Sequence, residues 1–181
     1  MVERLKRLFL AVPLDEGVRA MLAQHLGSRP LPGRPILPTN WHLTVRFLGD
    51  TDQLSEEKLV AHLDQADLGG DFVVSLGEMG AFPRPARANV LWLAVAGGGD
   101  RLAELNQVCE DAAQAAGFAP DDRPYSAHLT LSRIRPDQDL RSFIAGYQPM
   151  PLRWNAGQLV LFRSVPDGGL HYDPIERFGL S

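Results

Sequence analysis

Polar and apolar residues alternate in the segment 41–49, WHLTVRFLG. In an extended strand alternate side chains point to opposite faces, so this pattern predicts a strand with one face in the core and one polar face. The polar face is expected to carry His42, Thr44 and Arg46. A core strand that offers a histidine and a hydroxyl indicates a binding or catalytic surface. The apolar face is expected to comprise Trp41, Leu43, Val45 and Phe47.

The same pattern returns in the segment 127–132, AHLTLS, where His128, Thr130 and Ser132 are expected to share one face. The two histidines are 86 residues apart, close to half the chain, and each lies on a strand that follows a predicted helix. This spacing predicts a duplicated architecture in which two similar lobes present equivalent strands to a shared cleft.

Length and composition restrict the class of protein. A chain of 181 residues, 45% of them hydrophobic, suits one globular domain over residues 1–181. A net charge of −4 argues against a broad basic surface for long nucleic acids, but it leaves room for a small phosphate pocket. Cys109 is the only cysteine, which excludes an intramolecular disulfide and a cysteine-based zinc cage; we expect it to be a small core residue.

No part of the sequence indicates a membrane-spanning segment or a targeting segment. The charged start is followed by an apolar run that stops at Pro13, too early for a secretory signal, and no later stretch is long enough to span a bilayer. We therefore expect a soluble cytoplasmic protein, a monomer with no obligate protein partner.

Strand and helix patterns alternate along the chain and favour an α+β fold, with helices packed on one face of antiparallel sheets. The glycine triplet 97–99 is the candidate hinge between the two halves, since glycines offer no side chain to pack. Helices are expected to begin at Asp15, Ser55, Asp100 and Asp139. Strands are expected at 8–12, 72–76, 78–82, 89–96, 158–165 and 170–178, besides the two histidine strands.

Two facing His-x-Thr strands make a site suited to a tetrahedral anion such as phosphate. Threonine hydroxyls donate hydrogen bonds to phosphate oxygens, and two imidazoles can approach from opposite sides. Displacement at phosphorus needs a base on the attacking oxygen and an acid on the leaving oxygen, and histidine serves as either near neutrality. Such a pair needs no metal and no cofactor. The remaining histidines, His25, His62 and His171, lack the pattern and are expected to be structural or exposed.

With these motifs the sequence resembles the two-histidine phosphoesterases, and within them the RNA 2′,3′-cyclic phosphodiesterases, also called the 2′-5′ RNA ligase-like family. The resemblance covers nearly the whole chain. It rests on the segments 7–12, 42–49, 80–85 with 90–92, 123–133 and 159–162.

This resemblance implies a bilobal fold with a pseudo-twofold axis, antiparallel sheets lining a cleft and helices outside. It implies hydrolysis of RNA 2′,3′-cyclic phosphate ends, or of nucleoside 2′,3′-cyclic phosphates, to 2′-phosphomonoesters. His42 would be the proton donor to the leaving oxygen and His128 the acceptor that activates water. Thr44 and Thr130 would hold the phosphate, and Arg133 would add charge-assisted contacts.

Several alternatives stay open at the level of the sequence. Strict alternation puts Arg133 on the apolar side of its strand, so it reaches the cleft only if the strand ends, bulges or twists. Arg84 and Arg87 either contact an RNA backbone or are solvated. Phe9 and Trp41 either stack on a base or pack in the core, and core packing is the expectation for both.

Other functions also remain open. The same site could join a 2′,3′-cyclic phosphate to a 5′-hydroxyl and so act as a 2′-5′ RNA ligase. It could instead be a non-catalytic module that binds RNA ends or nucleotides. A metallohydrolase is disfavoured, because the histidines and threonines are not joined by the carboxylate cluster that hydrolytic metals use.

Overall fold

The computed structural model describes residues 4–181, and a nine-stranded antiparallel sheet is its framework. The strand order across the sheet is β7-β4-β5-β6-β3-β1-β8-β9, and the short β2 pairs with β6 beside this path. The strands are β1 (Lys6–Pro13), β2 (Arg34–Pro35), β3 (His42–Thr51), β4 (Phe72–Arg84), β5 (Arg87–Gly97), β6 (His128–Gln138), β7 (Arg153–Ala156), β8 (Gln158–Val165) and β9 (His171–Gly179). The α-helices are α1 (Glu16–Gly27), α2 (Gln53–Gln65), α3 (Gly99–Ala115) and α4 (Arg141–Ala145), and a 3₁₀ turn covers Pro38–Asn40.

The two strands that begin at His42 and His128 lie at the centre of the sheet. β3 and β6 meet at a single residue pair, Leu43 with Leu129, and four-strand groups lie on either side of this junction. The sheet is therefore a curled surface with two lobes, β6-β5-β4-β7 and β3-β1-β8-β9. The predicted α+β, two-lobed fold with antiparallel sheets is confirmed.

The helices cover the face of the sheet opposite the two histidines. Helix α1 begins as expected at Asp15, whose carboxylate accepts a hydrogen bond from the Val18 N–H at 3.2 Å. Helix α3 packs on β3, where the Asn106 side chain donates to the Val45 carbonyl at 2.8 Å. Leu43 and its neighbours on this side of the sheet are buried, so the sheet and the helices share one core.

Three predicted boundaries are wrong. Helix α2 begins after Asp52, whose side chain caps it by accepting from the Ser55 N–H, so Ser55 lies inside the first turn. Helix α3 is capped by Gly98, and Asp100 lies in its first turn. The segments 72–76 and 78–82 form one continuous strand, β4, that is irregular between Leu76 and Met79.

The glycine triplet forms a tight connection between β5 and α3. Gly98 has a φ of +88°, which favours glycine, and a Cβ there would lie 2.6 Å from the Val73 carbonyl oxygen. The turn is thus packed against β4. A hinge between lobes at 97–99 stays a prediction.

Cys109 lies on the inner side of α3 and is fully buried. Burial raises the pKa of its thiol to about 12, so the thiol is protonated at neutral pH. The expectation of a small core residue is confirmed. Within residues 4–181, no helix combines the length and the apolar character needed to cross a membrane.

Candidate active site

The central strands bring the two His-x-Thr motifs together on the concave face of the sheet. On both strands the histidine and the threonine are partly exposed, and the leucine between them is fully buried. Because Leu43 pairs with Leu129 in an antiparallel register, His42 lies beside Thr130, and Thr44 lies beside His128. Each imidazole therefore has a hydroxyl from both strands in its neighbourhood.

Both imidazoles are held by a backbone carbonyl two residues earlier. His42 Nδ1 lies 2.8 Å from the Asn40 carbonyl oxygen, and His128 Nδ1 lies 2.7 Å from that of Ser126. A carbonyl can only accept, so each Nδ1 carries a proton and each Nε2 is left for chemistry. His42 Nε2 also lies 2.8 Å from the Thr44 hydroxyl oxygen.

The surroundings of both histidines favour the neutral form. The pKa of His42 is lowered to about 4, and burial of the imidazole is the largest cause. The positive charges of His128 and Arg133 also lower this pKa, whereas the hydrogen bond to the Asn40 carbonyl raises it. Burial also lowers the pKa of His128, again with Arg133 acting in the same direction and a carbonyl opposing. At neutral pH both imidazoles are therefore uncharged.

Aromatic rings surround both imidazoles, and they explain the burial. Three of them lie around His42, with ring centroids at 4.8 Å for Phe9, 5.2 Å for Tyr172 and 6.5 Å for Phe162. His128 contacts two others, Phe82 at 5.1 Å and Trp92 at 6.4 Å.

The positions of these aromatic rings test the predictions for Phe9 and Trp41. Trp41 is buried in the core, so core packing is confirmed for this residue. Phe9 is buried too, but its ring packs against His42 on the histidine face and not in the core shared with the helices, so the core-packing prediction is wrong for Phe9. The roles of Phe162 and Tyr172 were missed because both come from the C-terminal hairpin β8–β9, far from the motifs in sequence.

A β-bulge brings Arg133 to the histidine face. Trp92 pairs with Thr130 and Leu91 with Ser132, so Leu131 is the additional residue on β6. After the bulge Ser132 is fully buried and donates to the Pro32 carbonyl, while Arg133 is exposed. The expectation that Ser132 shares the face of His128 and Thr130 is wrong, and strict alternation also misplaced Arg133.

An equivalent bulge lies on β3 at Val45, between the pairs Ala11–Thr44 and Leu10–Arg46. It turns Arg46 toward the helices, where the guanidinium is buried and forms an ion pair with Glu110. It turns Phe47 out, 51% exposed and 6.1 Å from Phe9. The placement of Arg46 on the polar face and of Phe47 on the apolar face is therefore wrong. The missed signal is the 86-residue offset, which aligns Phe47 with Arg133.

The remaining candidates are three histidines and two arginines. His62 and His171 are exposed, and His25 Nε2 contacts the Gln148 carbonyl at 2.8 Å, as expected for structural or exposed residues. Arg84 is exposed, and Arg87 forms a 3.0 Å ion pair with Asp137. Among residues 4–181, no three His, Cys, Asp or Glu side chains are grouped so that they could hold a metal ion.

The sequence matches the family model of the 2′-5′ RNA ligase superfamily over residues 19–168. Among curated proteins, it is 26% identical over 181 residues to the RNA 2′,3′-cyclic phosphodiesterase of Escherichia coli, with 97% of each chain covered. It is 31% identical over 134 residues to the protein of that name from Methanothermobacter thermautotrophicus, with 71% of each chain covered.

Solved structures have the same fold over almost the full length. The crystal structure of E. coli LigT complexed with 3′-AMP superposes with a TM-score of 0.79 at 26% identity, covering 98% of this chain and 99% of that one. A second crystal structure, of a protein from Thermus thermophilus, superposes with a TM-score of 0.77 at 28% identity, covering 96% and 97%. The two-lobed arrangement around the cleft is thus shared across these proteins.

Proposed function

Because the chain belongs to the 2′-5′ RNA ligase superfamily, we propose that it is a phosphodiesterase that hydrolyses 2′,3′-cyclic phosphate at RNA ends to a 2′-phosphomonoester. One observation carries the proposal. His42 and His128 lie on either side of the Leu43–Leu129 junction, and in both the Nδ1 proton is bound by a carbonyl, which leaves Nε2 for the substrate.

The reaction needs one proton removed and one delivered. His128 Nε2 takes a proton from the attacking water, whose oxygen forms the new bond to phosphorus. The bond from phosphorus to the 3′-oxygen breaks, and His42 Nε2 donates a proton to that oxygen. The product keeps its phosphate on the 2′-oxygen, and the two histidines end in exchanged protonation states.

Thr44 and Thr130 are proposed to hold the phosphate, since each hydroxyl lies beside an imidazole and can donate to a phosphate oxygen. Arg133 adds positive charge on the same face, where it stabilises the charge that develops on the phosphate oxygens. The pKa of His42, about 4, makes its protonation depend on the substrate: the bound phosphate anion offsets the charge of Arg133 and favours the imidazolium.

All residues of the proposed site lie in one chain, which supports the proposal that the protein acts as a monomer; the cytoplasm is its proposed location. Elution at the mass of one 19.9 kDa chain in light scattering agrees with this, and a dimer contradicts it.

Incubation with a nucleoside 2′,3′-cyclic phosphate in EDTA tests the activity. Release of the 2′-phosphate alone, and its loss in His42→Ala and in His128→Ala, is the expected result. His62→Ala is the control, because this exposed histidine lies on α2 outside the cleft. Release of the 3′-phosphate, or full activity in either cleft variant, contradicts the mechanism, and loss of activity in EDTA favours a metal-dependent enzyme.

Ligation is the second candidate, because the same acid–base pair can serve attack on the cyclic phosphate by a different nucleophile. There a 5′-hydroxyl replaces water as the nucleophile, and His128 accepts its proton. Mixing an RNA that ends in a 2′,3′-cyclic phosphate with a 5′-hydroxyl RNA measures this activity directly. A 2′-5′ linked product that is absent in His128→Ala identifies ligation at the same site.

A further inference from the structure

Strand β2 lies next to β6 at the point where the two central strands separate. β3 and β6 pair only at Leu43–Leu129, and beyond this junction β2 takes the place of β3. The Ile36 N–H donates to the Leu131 carbonyl at 2.8 Å, and the Ser132 hydroxyl donates to the Pro32 carbonyl. The segment 32–36 is therefore firmly attached to β6 beside the site.

The register of this pairing puts Arg34 directly opposite Arg133. Residues opposite each other in an antiparallel pair point to the same face, so Arg34 lies on the face that carries the histidines. Like charges in this arrangement repel each other. The ion pairs of the chain use other arginines, and neither of these two has a carboxylate partner among residues 4–181.

Arg135 extends this positive charge away from the histidines. Ile134 is fully buried, and its neighbours Arg133 and Arg135 are exposed, so alternation from Arg133 predicts that Arg135 lies on the same side of the strand. Residues two apart on a strand are separated by about 7 Å. The cleft thus continues into a row of guanidinium groups, and guanidinium is the side chain best suited to paired hydrogen bonds with a phosphate.

An RNA end offers a ligand for this row. The terminal nucleotide carries the cyclic phosphate on its 2′- and 3′-oxygens and is joined to the rest of the chain through the phosphate on its 5′-oxygen. We propose that Arg34, assisted by Arg135, forms a second phosphate subsite for this 5′-phosphate, while Arg133 serves the reacting phosphate. The inference rests on the proposed phosphodiesterase activity and names its preferred substrates: oligoribonucleotide ends, which carry a 5′-phosphate on the terminal nucleotide, over nucleoside cyclic phosphates.

Two small substrates distinguish the proposed 5′-phosphate subsite from the site of the reacting phosphate. One is adenosine 2′,3′-cyclic phosphate, and the other is the same compound with a 5′-phosphate. In the unaltered protein, kcat/KM is expected to be about tenfold higher with the 5′-phosphate, since one hydrogen bond to a charged group corresponds to about a decade in binding. Arg34→Gln is expected to abolish this preference and to leave hydrolysis of adenosine 2′,3′-cyclic phosphate unchanged.

The control variant is Lys58→Gln, which removes one exposed positive charge from α2 on the helical layer and is expected to keep the preference. Equal kcat/KM for the two substrates in the unaltered protein overturns the subsite but not the phosphodiesterase. A parallel loss on both substrates in Arg34→Gln overturns it as well, because Arg34 then serves the reacting phosphate. Hydrolysis of neither substrate by the unaltered protein overturns the proposed function itself.

Discussion

The ion pair between Arg46 and Glu110 is expected to make a large contribution to stability. Arg46 donates to the Glu110 carboxylate and to the carbonyls of Phe47 and Ala119, and Glu110 also accepts from the Asp121 N–H at 3.0 Å. Burial favours the neutral acid, but the hydrogen bonds from Arg46, Asp121 and Gln114 outweigh it and lower the pKa of Glu110. At neutral pH the pair is charged, and it connects the β3 bulge to the loop that precedes β6.

Glu110→Gln removes the negative charge and keeps the shape of the side chain. The side chains of Arg46 and Glu110 are only 7% and 12% exposed, so the substitution leaves a largely buried guanidinium without its counter-charge. Breaking a buried pair in this way costs about 3–5 kcal/mol, and the remaining amide oxygen favours the lower end, about 3 kcal/mol. For a chain of this size that corresponds to a fall in Tm of about 6–12 °C.

The assay is urea denaturation at pH 7, with Glu104→Gln as the matched control. Glu104 lies on the same helix and pairs with Arg101, but the side chain of Glu104 is 64% exposed, and such surface pairs contribute less than about 1 kcal/mol. If Glu110→Gln lowers the free energy of unfolding no more than Glu104→Gln does, the buried pair does not hold the bulge. The double variant Arg46→Met with Glu110→Leu should remain below the unaltered protein, because two backbone carbonyls lose their donor.

Three further predictions concern the histidines and their strand. Both histidine pKa values lie below the ordinary 6.5, so kcat/KM for a cyclic nucleotide should be highest below pH 6.5 and fall above it; a maximum above pH 7 contradicts the site electrostatics. The pKa of His42 is about 4 in the folded state, below its unfolded value, so the unfolded state binds the proton first as the pH falls. The free energy of unfolding should therefore decrease by about 2 kcal/mol from pH 7 to pH 5. Urea denaturation should find a smaller decrease in His42→Gln. The Tyr125 hydroxyl donates to the Thr44 carbonyl at 3.0 Å, so Tyr125→Phe should cost about 1 kcal/mol by the same assay, and an unchanged midpoint refutes this contribution.

Alternation and spacing were sufficient to predict the two central strands and their shared cleft. The period of two requires only that one face of each strand be buried, and Leu43 and Leu129 meet that requirement completely. The repeat at 86 residues then predicted the two lobes. Both are consequences of local pattern, so they could be predicted from the amino-acid sequence without knowledge of distant contacts.

The bulges could not be predicted in this way, because an additional residue reverses the faces of all residues after it. Arg46 resembled a cation at the rim of a site, and its partner Glu110 lies on a helix 64 residues later. Strand β7 was missed because it has only four residues and follows a proline-containing loop; its place is determined by pairing with β4. The aromatic surroundings of His42 likewise depend on contacts between residues far apart in sequence.

The two lobes have the same arrangement of strands, but the residues around their histidines differ, and this difference affects the chemistry. At the first exposed position after each bulge, one lobe carries Phe47 and the other Arg133. The rings of Phe9 and Tyr172 pack around His42, and the pKa of this histidine falls to about 4. Because these surroundings favour the neutral form of His42, its role as proton donor requires the bound phosphate anion, which favours the imidazolium. The His-x-Thr motif supplies two equivalent imidazoles, and the residues around them make the two imidazoles different.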